Sequence, residues 1–257
     1  MKSTDVKSLY NEEYFLDAVD GHADFANFDG SFERLFDRYR RNVELLGVEP
    51  THTLLEIGCG RGEICIYHAK RGGKAVGVDF SKDAIEIARH KARSLDVSPE
   101  FREASFDELS EKDGLFDRVL ACEFIEHISA EEGDLFFRKL FSLLRPGGRA
   151  LIYTFPNTLQ RRYGYNLFRL YNLLRGTRLP RQQPDTTSEH YRLYHLNEQN
   201  HLTLKRAARR AGFSKARVGY DVELASGGFA KRLAFSIVKK TPLRHILFNH
   251  MYLVVER

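Results

Sequence analysis

Residues 54–63 read Leu-Leu-Glu-Ile-Gly-Cys-Gly-Arg-Gly-Glu, an apolar run entering a glycine-rich turn. Glycine at 58 and 60 lets the backbone turn sharply and approach a ligand with no Cβ between them. A dinucleotide turn of the G-x-G-x-x-G type requires glycine at position 63, where this chain carries Glu63. A carboxylate there, at the start of a helix, repels the pyrophosphate that would otherwise bind. A nicotinamide cofactor is therefore disfavoured. Asp79 ends the next apolar run, 19 residues after Gly60. An acidic residue at that position suits both hydroxyls of a ribose; its ordinary alternative is a helix cap. Together the two features point to a nucleoside-like ligand without a pyrophosphate.

A second group of reactive types follows the fourth apolar run: Cys122, Glu123, Glu126 and His127. Deprotonating a hydroxyl calls for a base near neutral pKa, and histidine is the natural choice. His127 is one candidate; His190 and His195, in the segment 188–195, are others. Their ordinary readings are a packed helix-start residue for His127 and hydrogen-bonded or surface residues for the other two. Glu123, Glu126 and His127 offer oxygen and nitrogen ligands to a metal, but the same residues are ordinary in a helix that follows a strand, and no metal site is expected. Cys122 reads as a small apolar residue rather than a nucleophile. With Cys59 and Cys65 it makes an odd set without CxxC spacing. Neither a disulfide framework nor a zinc site is expected, which fits a reducing, cytoplasmic compartment.

These residues need elements to position them. Residues 1–50 read as helical with a turn at 28–31; Phe32, Leu35, Phe36, Tyr39, Val43 and Leu46 recur at helical spacing until Gly47 and Pro50. Short apolar runs then alternate with amphipathic stretches. Strands are predicted at 53–57, 74–79, 99–104, 116–121 and 150–155, and Ser81 is placed to cap the second helix. Five alternations imply a doubly wound parallel sheet. Two final strands, at 213–224 and 247–256, complete an α/β, Rossmann-like, seven-stranded, mostly parallel sheet with helices on both faces. Residues 157–195 break the rhythm and form a lid-like insertion after the fifth strand, at the sheet edge where such folds bind ligands; residues 227–246 form a basic second insertion. The organisation is thus an N-terminal segment, 1–50, and one domain, 51–257.

At this point the chain resembles the class I S-adenosylmethionine-dependent methyltransferases of the small-molecule and quinone type. The resemblance rests on 54–62, on Gly-Val-Asp-Phe-Ser at 77–81, on Phe-Asp-Arg-Val-Leu-Ala-Cys-Glu-Phe-Ile-Glu-His-Ile at 116–128 and on Leu-Leu-Arg-Pro-Gly-Gly at 143–148. It implies S-adenosyl-L-methionine as cofactor. Glu56, Gly58, Cys59 and Gly60 would surround its methionine part, Asp79 would take the ribose hydroxyls, and Phe80 would lie against the adenine. Such enzymes often carry an Asp for the adenine amino group where this chain has Ser105, followed by Phe106; the Ser105 hydroxyl or Asp107 would take that contact. Cys122 and Glu123 would form the floor. Tyr10, Tyr14 and Phe15 would lie on an N-terminal segment folded over the cofactor, or else simply pack on the sheet. The activity implied is methyl transfer to a small-molecule or lipid-linked acceptor, at a hydroxyl, with His127 or His190 assisting. The alternatives are an RNA methyltransferase and a non-catalytic cofactor-binding regulator.

Charge bears on the partner. Residues 160–257 hold 19 Lys and Arg against 6 Asp and Glu, whereas residues 1–159 hold 21 against 29. A basic last third suits an anionic partner. In 161–178, Tyr163, Leu167, Leu170, Tyr171 and Leu174 form one helical stripe among arginines; in 229–248, Phe229, Leu233, Ile237 and Val238 recur beside lysines and arginines. Basic amphipathic stretches of this kind suit an anionic membrane surface, or else pack on the sheet as a lid. Nucleic acid is the weaker reading, because no recognisable RNA-binding module is present. Apolar residues make up 42% of the chain, enough for a sizeable core, yet no run approaches the ~18 apolar residues of a spanning helix. The polar N-terminus lacks the apolar run of a secretory signal. A cytoplasmic protein, peripheral on the inner membrane surface if the stripes bind lipid, is the expectation.

Overall fold

The computed structural model describes residues 8–183, 189–221 and 237–257. Seven strands form one sheet: β1 (Thr53–Ile57), β2 (Lys74–Asp79), β3 (Glu100–Glu103), β4 (Phe116–Cys122), β5 (Leu144–Thr154), β6 (Lys215–Asp221) and β7 (His250–Glu256). Their order is β3-β2-β1-β4-β5-β7-β6. The pairs among β1 to β5 are parallel, and β7 runs antiparallel to both β5 and β6. The winding reverses between β1 and β4, so a crevice opens at their carboxyl ends, where open α/β sheets bind ligands.

Successive strand residues point to opposite faces, and here both faces are covered. Leu55, Ile57, Val119 and Ala121 join Phe136, Phe137 and Leu140 in one apolar cluster; Leu54, Leu120 and Leu151 join Ile64, Ile66 and Ile85 in the other. Burial on two faces is why the strands read as near-continuous apolar runs. Each such leucine or phenylalanine contributes about 1.5–3 kcal/mol on burial.

The helices are α1 (His22–Ala26), α2 (Asp37–Leu46), α3 (Glu63–Lys70), α4 (Lys82–Ser94), α5 (Ala130–Leu143), α6 (Tyr165–Leu174), α7 (Glu189–Tyr194), α8 (His201–Arg210) and α9 (Arg244–Leu247). Ser81 caps α4 by accepting from the Ala84 N–H at 3.3 Å. Ser129 and Glu132 form a capping box at the start of α5. The N-terminal segment adds Phe28, Leu35, Val43 and Leu46 to the second apolar cluster.

The last two strands, expected at 213–224 and 247–256, begin later, at Lys215 and His250, and two other boundaries differ more. The helical spacing from Phe32 does not become helix until Asp37, because Phe36 is extended (φ −52°, ψ 140°). The carbonyls of Glu33 and Leu35 instead accept from the Arg40 guanidinium. Strand β5 starts at Leu144 rather than Ala150 and runs through Pro146 to Gly148, with a register shift opposite Phe116 and Arg118. The glycines there pair with the chain end: Gly147 N–H donates to the Arg257 carbonyl, and Arg257 N–H to that of Gly148.

Of the basic amphipathic stretches, the first is a π-helical turn, Gln160–Gly164, leading into α6. The first part of the second, 229–236, with Phe229 and Leu233, lies outside the described residues. In its described part Ile237 is exposed, while Val238 packs against the core.

Candidate active site

The glycine turn is built by two hydrogen bonds, from Gly58 N–H and Cys59 N–H to the carbonyl of Val78 on the neighbouring strand. Gly58 has φ +70°, and a Cβ there would stand 2.8 Å from the Phe124 ring. Gly62, which precedes α3, has φ +76°, and its Cβ would meet Phe101 at 2.5 Å. No other residue fits either position without displacing an aromatic ring. Asp79 ties this turn to β2. Its Oδ2 accepts the Gly60 N–H at 3.0 Å and its Oδ1 the Ser81 N–H at 2.9 Å. Burial raises the Asp79 pKa, opposed by these backbone bonds. The cap of α4 is Ser81, so Asp79 is left at the strand end.

All nine residues expected at the cofactor line one cavity of about 270 Å³. Glu56, Gly58, Cys59 and Gly60 come from the end of β1 and its turn, Asp79 and Phe80 from the end of β2, Ser105 and Phe106 from the loop after β3, and Cys122 from the end of β4. Asp107 is not on this wall. Ser105 forms a capping box with Glu108, its side chain accepting from the Glu108 backbone, while the Ser105 N–H donates to Oε1 of Glu108 at 3.1 Å. Its hydroxyl retains a donor and a second acceptor site. Glu56 is buried and accepts from the Cys65 thiol at 3.2 Å; burial, with Glu63 adding to it, pushes its carboxyl up to about 8 against that hydrogen bond.

The other side of the cavity is the N-terminal segment, through Tyr10, Tyr14, Phe15 and Val19. The Tyr10 ring stands edge-on to Phe80 (5.2 Å) and to Tyr194 (5.1 Å), and Tyr14 stacks on Tyr194 at 5.8 Å. Burial holds both N-terminal tyrosines in the phenol form, well above their ordinary pKa. Three ties fasten the segment. Ser81 Oγ donates to the Tyr10 carbonyl at 2.8 Å, and Glu12 N–H to Asp83 at 3.0 Å. The third is Arg61, which sequence reading left without a role. Its guanidinium is buried, donates to the carbonyls of Phe15 and Asp20 at 3.2 Å each, pairs with Glu63 at 3.0 Å and lies 4.8 Å from the centre of the Phe25 ring. Glu63 is thus a buried partner of Arg61 and not an open charge at the helix start.

The floor contains Cys122 and Glu123. Burial pushes the Cys122 thiol up to about 12, although Arg38 and a hydrogen bond from Asn42 (3.1 Å) pull the other way; no thiolate nucleophile forms at neutral pH. Glu123 adopts φ +53° and pairs with the buried Arg38, which also reaches Asp20 at 3.1 Å. Glu126 is fully buried, accepts from Thr154 Oγ1 at 2.9 Å, and is pushed up by burial to about 7. Its backbone carbonyl accepts the N–H groups of Leu196 and Asn197, which seats the segment after α7 against the site.

His127 lines the cavity, and its Nδ1 stands 2.9 Å from the Tyr194 carbonyl. A carbonyl only accepts, so Nδ1 carries the proton and Nε2 the lone pair. Burial lowers the His127 pKa to about 4, below the near-neutral value expected from sequence. His190 belongs to α7, but its side chain lies outside the described residues. His195 stands 5.2 Å from His127, ring to ring, and stacks on Tyr191 at 4.0 Å. No group of three metal-ligating side chains converges among the described residues.

These shifts make a prediction about stability. In the unfolded chain Glu56 and Glu126 lose their protons near 4.5, but in the fold they hold them to about 8 and 7. The folded state therefore binds more protons between those values, and stability falls as pH rises through them. His127 acts in the opposite sense, costing stability as pH drops from 6.5 towards 4. Urea unfolding should show a decline from pH 5 to 8 that Glu56→Gln flattens. An equally steep decline in the variant would refute this assignment.

The chain is similar to known proteins in sequence over one stretch and in fold over its length. Residues 54–148 match the family model described as a methyltransferase domain. The matched residues hold the glycine turn, Asp79 and strands β2 to β4, the part of the fold that builds most of the cavity. The ubiquinone biosynthesis O-methyltransferase of Chelativorans sp. (strain BNC1) is 36% identical over 107 residues, and that of Mesorhizobium japonicum 35% over the same length; each match covers 42% of this chain. The chain spans about two fifths of the length of these relatives. Among solved structures, the magnesium protoporphyrin IX methyltransferase of Synechocystis PCC 6803, with bound SAH, superposes over all of both chains with a TM-score of 0.60 at 18% identity, a likeness of fold.

Proposed function

We propose that the chain is an S-adenosylmethionine-dependent methyltransferase acting on a hydroxyl of a small-molecule or lipid-linked acceptor. The observation that carries this reading is the single cavity that joins the glycine turn, the strand-end carboxylate of Asp79, the buried carboxyl of Glu56 and a wall of aromatic rings. The donor set fits the cofactor. The Asp79 carboxylate accepts the Gly60 and Ser81 N–H groups and, with two oxygens, keeps acceptor capacity for ribose hydroxyls. Phe80 and Phe106 offer apolar surface to a flat base, and Ser105 a hydroxyl beside it. Glu56 suits the cationic methionine end, which would draw its proton off. When bound, S-adenosylmethionine supplies a methyl group on a positively charged sulfur, already activated for displacement.

The chain adds position and proton management. Tyr10 and Tyr14, packed on Tyr194, form one wall of the cavity and would limit the orientations of an acceptor, and such positioning is a large part of catalysis. A hydroxyl acceptor taking that methyl, with S-adenosylhomocysteine as the leaving product, would release its proton, and Nε2 of His127, the ring nitrogen left with a lone pair, would receive it. The names of the curated relatives support an oxygen acceptor. The test is transfer of labelled methyl from S-adenosylmethionine to catechols with and without a prenyl tail, alongside RNA. Label in an ether product supports the reading; label only in RNA, or none anywhere despite cofactor binding, overturns it in favour of one of the alternatives.

The acceptor is met at an anionic membrane surface in this reading. Support comes from α6, where Leu167, Phe168, Leu170, Tyr171, Leu173 and Leu174 are 48–80% exposed, beside Arg162, Arg169, Arg175 and Arg178. An apolar stripe packed on the sheet would be covered. Each arginine near such a surface contributes about 1 kcal/mol. No helix among the described residues is long and apolar enough to cross a membrane, so attachment would be peripheral. Sedimentation with anionic vesicles should exceed that with neutral ones, and Tyr171→Ala with Leu174→Ala should abolish the difference. Equal sedimentation with both vesicle types would remove the membrane from the account.

A further inference from the structure

Beside the proposed cofactor cavity lies a second, larger one of about 730 Å³, lined by Arg161, Arg162, Arg181, Tyr191, His195 and Glu198 among others. The two meet at Leu196, which lines both, and at the 5.2 Å ring contact between His127 of the first and His195 of the second. The second cavity is cationic. Among the described lining residues its one glutamate, Glu198, is engaged by Arg161 and by the Tyr191 hydroxyl (2.6 Å). Arg162 and Arg181 have no carboxylate partner among the described residues and are exposed at the cavity wall. His195, lowered by burial and by the neighbouring His127 and Arg161 to about 4, is neutral, and its buried Nδ1 has no hydrogen-bond partner.

We infer that the cavity framed by Arg162 and Arg181 binds an anionic group of the acceptor, a carboxylate or a phosphate, and so places the acceptor hydroxyl at His127. The inference rests on the methyltransferase reading and names its substrate class. Two guanidinium groups without a carboxylate partner attract an anion strongly, because each offers planar, paired N–H donors to carboxylate or phosphate oxygens. Position favours the acceptor over the cofactor: the site adjoins the proposed base and lies on the insertion after β5, away from Asp79. Arg162, Tyr165 and Asn166 lead directly into the exposed apolar surface of α6. An acceptor with an anionic group in the cavity and an apolar tail along α6 would use both.

Binding to the SAH-saturated protein tests this. Octanoate, octyl phosphate, inorganic phosphate and uncharged 1-octanol are the probes, measured by calorimetry at low salt. The two octyl anions should bind at least about tenfold more tightly than octanol. Arg162→Gln with Arg181→Gln should lose that margin and leave octanol and SAH binding unchanged. Both arginines are exposed, so the fold should survive; a thermal melt checks it. Inorganic phosphate equal to octyl phosphate would assign the site to a free anion, and weaker binding of it to an amphiphile. The inference fails if anions and octanol bind alike, or if the double variant matches the wild type. It also fails if Lys205→Gln with Arg209→Gln, on the separate basic surface of α8, costs as much. Absence of SAH binding in the first step would contradict the methyltransferase reading instead.

Discussion

His127→Ala should lower kcat by a factor of about 10²–10⁴ while the affinity for SAH is retained, the loss expected when a positioned base is removed. The bond from Nδ1–H to the Tyr194 carbonyl fixes the tautomer, so Nε2 keeps its lone pair in every molecule at neutral pH. Burial that lowers the pKa to about 4 makes His127 a weaker base than ordinary histidine, but one that is not protonated under working conditions. Position, more than base strength, then supplies the effect. A second result follows. If His127 is the base, kcat should be flat from pH 5 to 8 as far as this group is concerned, without the rise through 6.5 that an exposed histidine would give. Rates measured across that range in both proteins check the point. A change of only a few-fold in the variant would place the base elsewhere or make it unnecessary.

The largest stability effect is expected at Arg61. Arg61→Leu removes a buried guanidinium that holds Glu63 and the carbonyls of Phe15 and Asp20. Breaking one member of a buried pair typically costs about 3–5 kcal/mol, because the partner charge is left behind. That is a large part of the ~5–15 kcal/mol that holds an ordinary domain together. Urea unfolding should show the loss, and limited proteolysis should show the N-terminal segment opening first. Replacing both residues, Arg61→Leu with Glu63→Leu, should recover part of the loss, since no orphan charge remains. A cost below about 1 kcal/mol for the single change would mean that Arg61 does not fasten the segment.

Arg61 also illustrates what could be read in the sequence and what could not. The glycine turn and Asp79 were legible because local backbone demands and strand ends leave a pattern within 25 residues. The parallel sheet of β1 to β5 followed from alternation; two final strands were expected, but the antiparallel insertion of β7 between β5 and β6 was not legible. Arg61 and Arg38 were not legible. Each reads as an ordinary surface cation, and the groups that bury it come from far along the chain: Glu123 lies 85 residues from Arg38, and Phe15 lies 46 residues from Arg61. The pKa of His127 was missed for the same reason, since burial and the Tyr194 carbonyl, 67 residues away, are tertiary facts. In α6 the periodicity revealed an apolar stripe, but periodicity does not say whether a partner covers it. The exposure of Leu170, Tyr171 and Leu174 had to be seen.

The cavity around Asp79 should bind S-adenosylmethionine and its product. Calorimetry of SAH on the wild type, Asp79→Ala and Asp107→Ala tests it directly. The wild type should bind one SAH. Asp79→Ala should weaken binding by about 1.5–3 kcal/mol for each charged hydrogen bond lost, roughly a tenfold to hundredfold change. Asp107→Ala, which alters a residue outside the cavity wall, should bind as the wild type does. Thermal melts of the three proteins separate lost contacts from lost fold, because Asp79 also holds the Gly60 and Ser81 N–H groups. No heat of binding in the wild type, or equal affinity in a folded Asp79→Ala, would contradict the account.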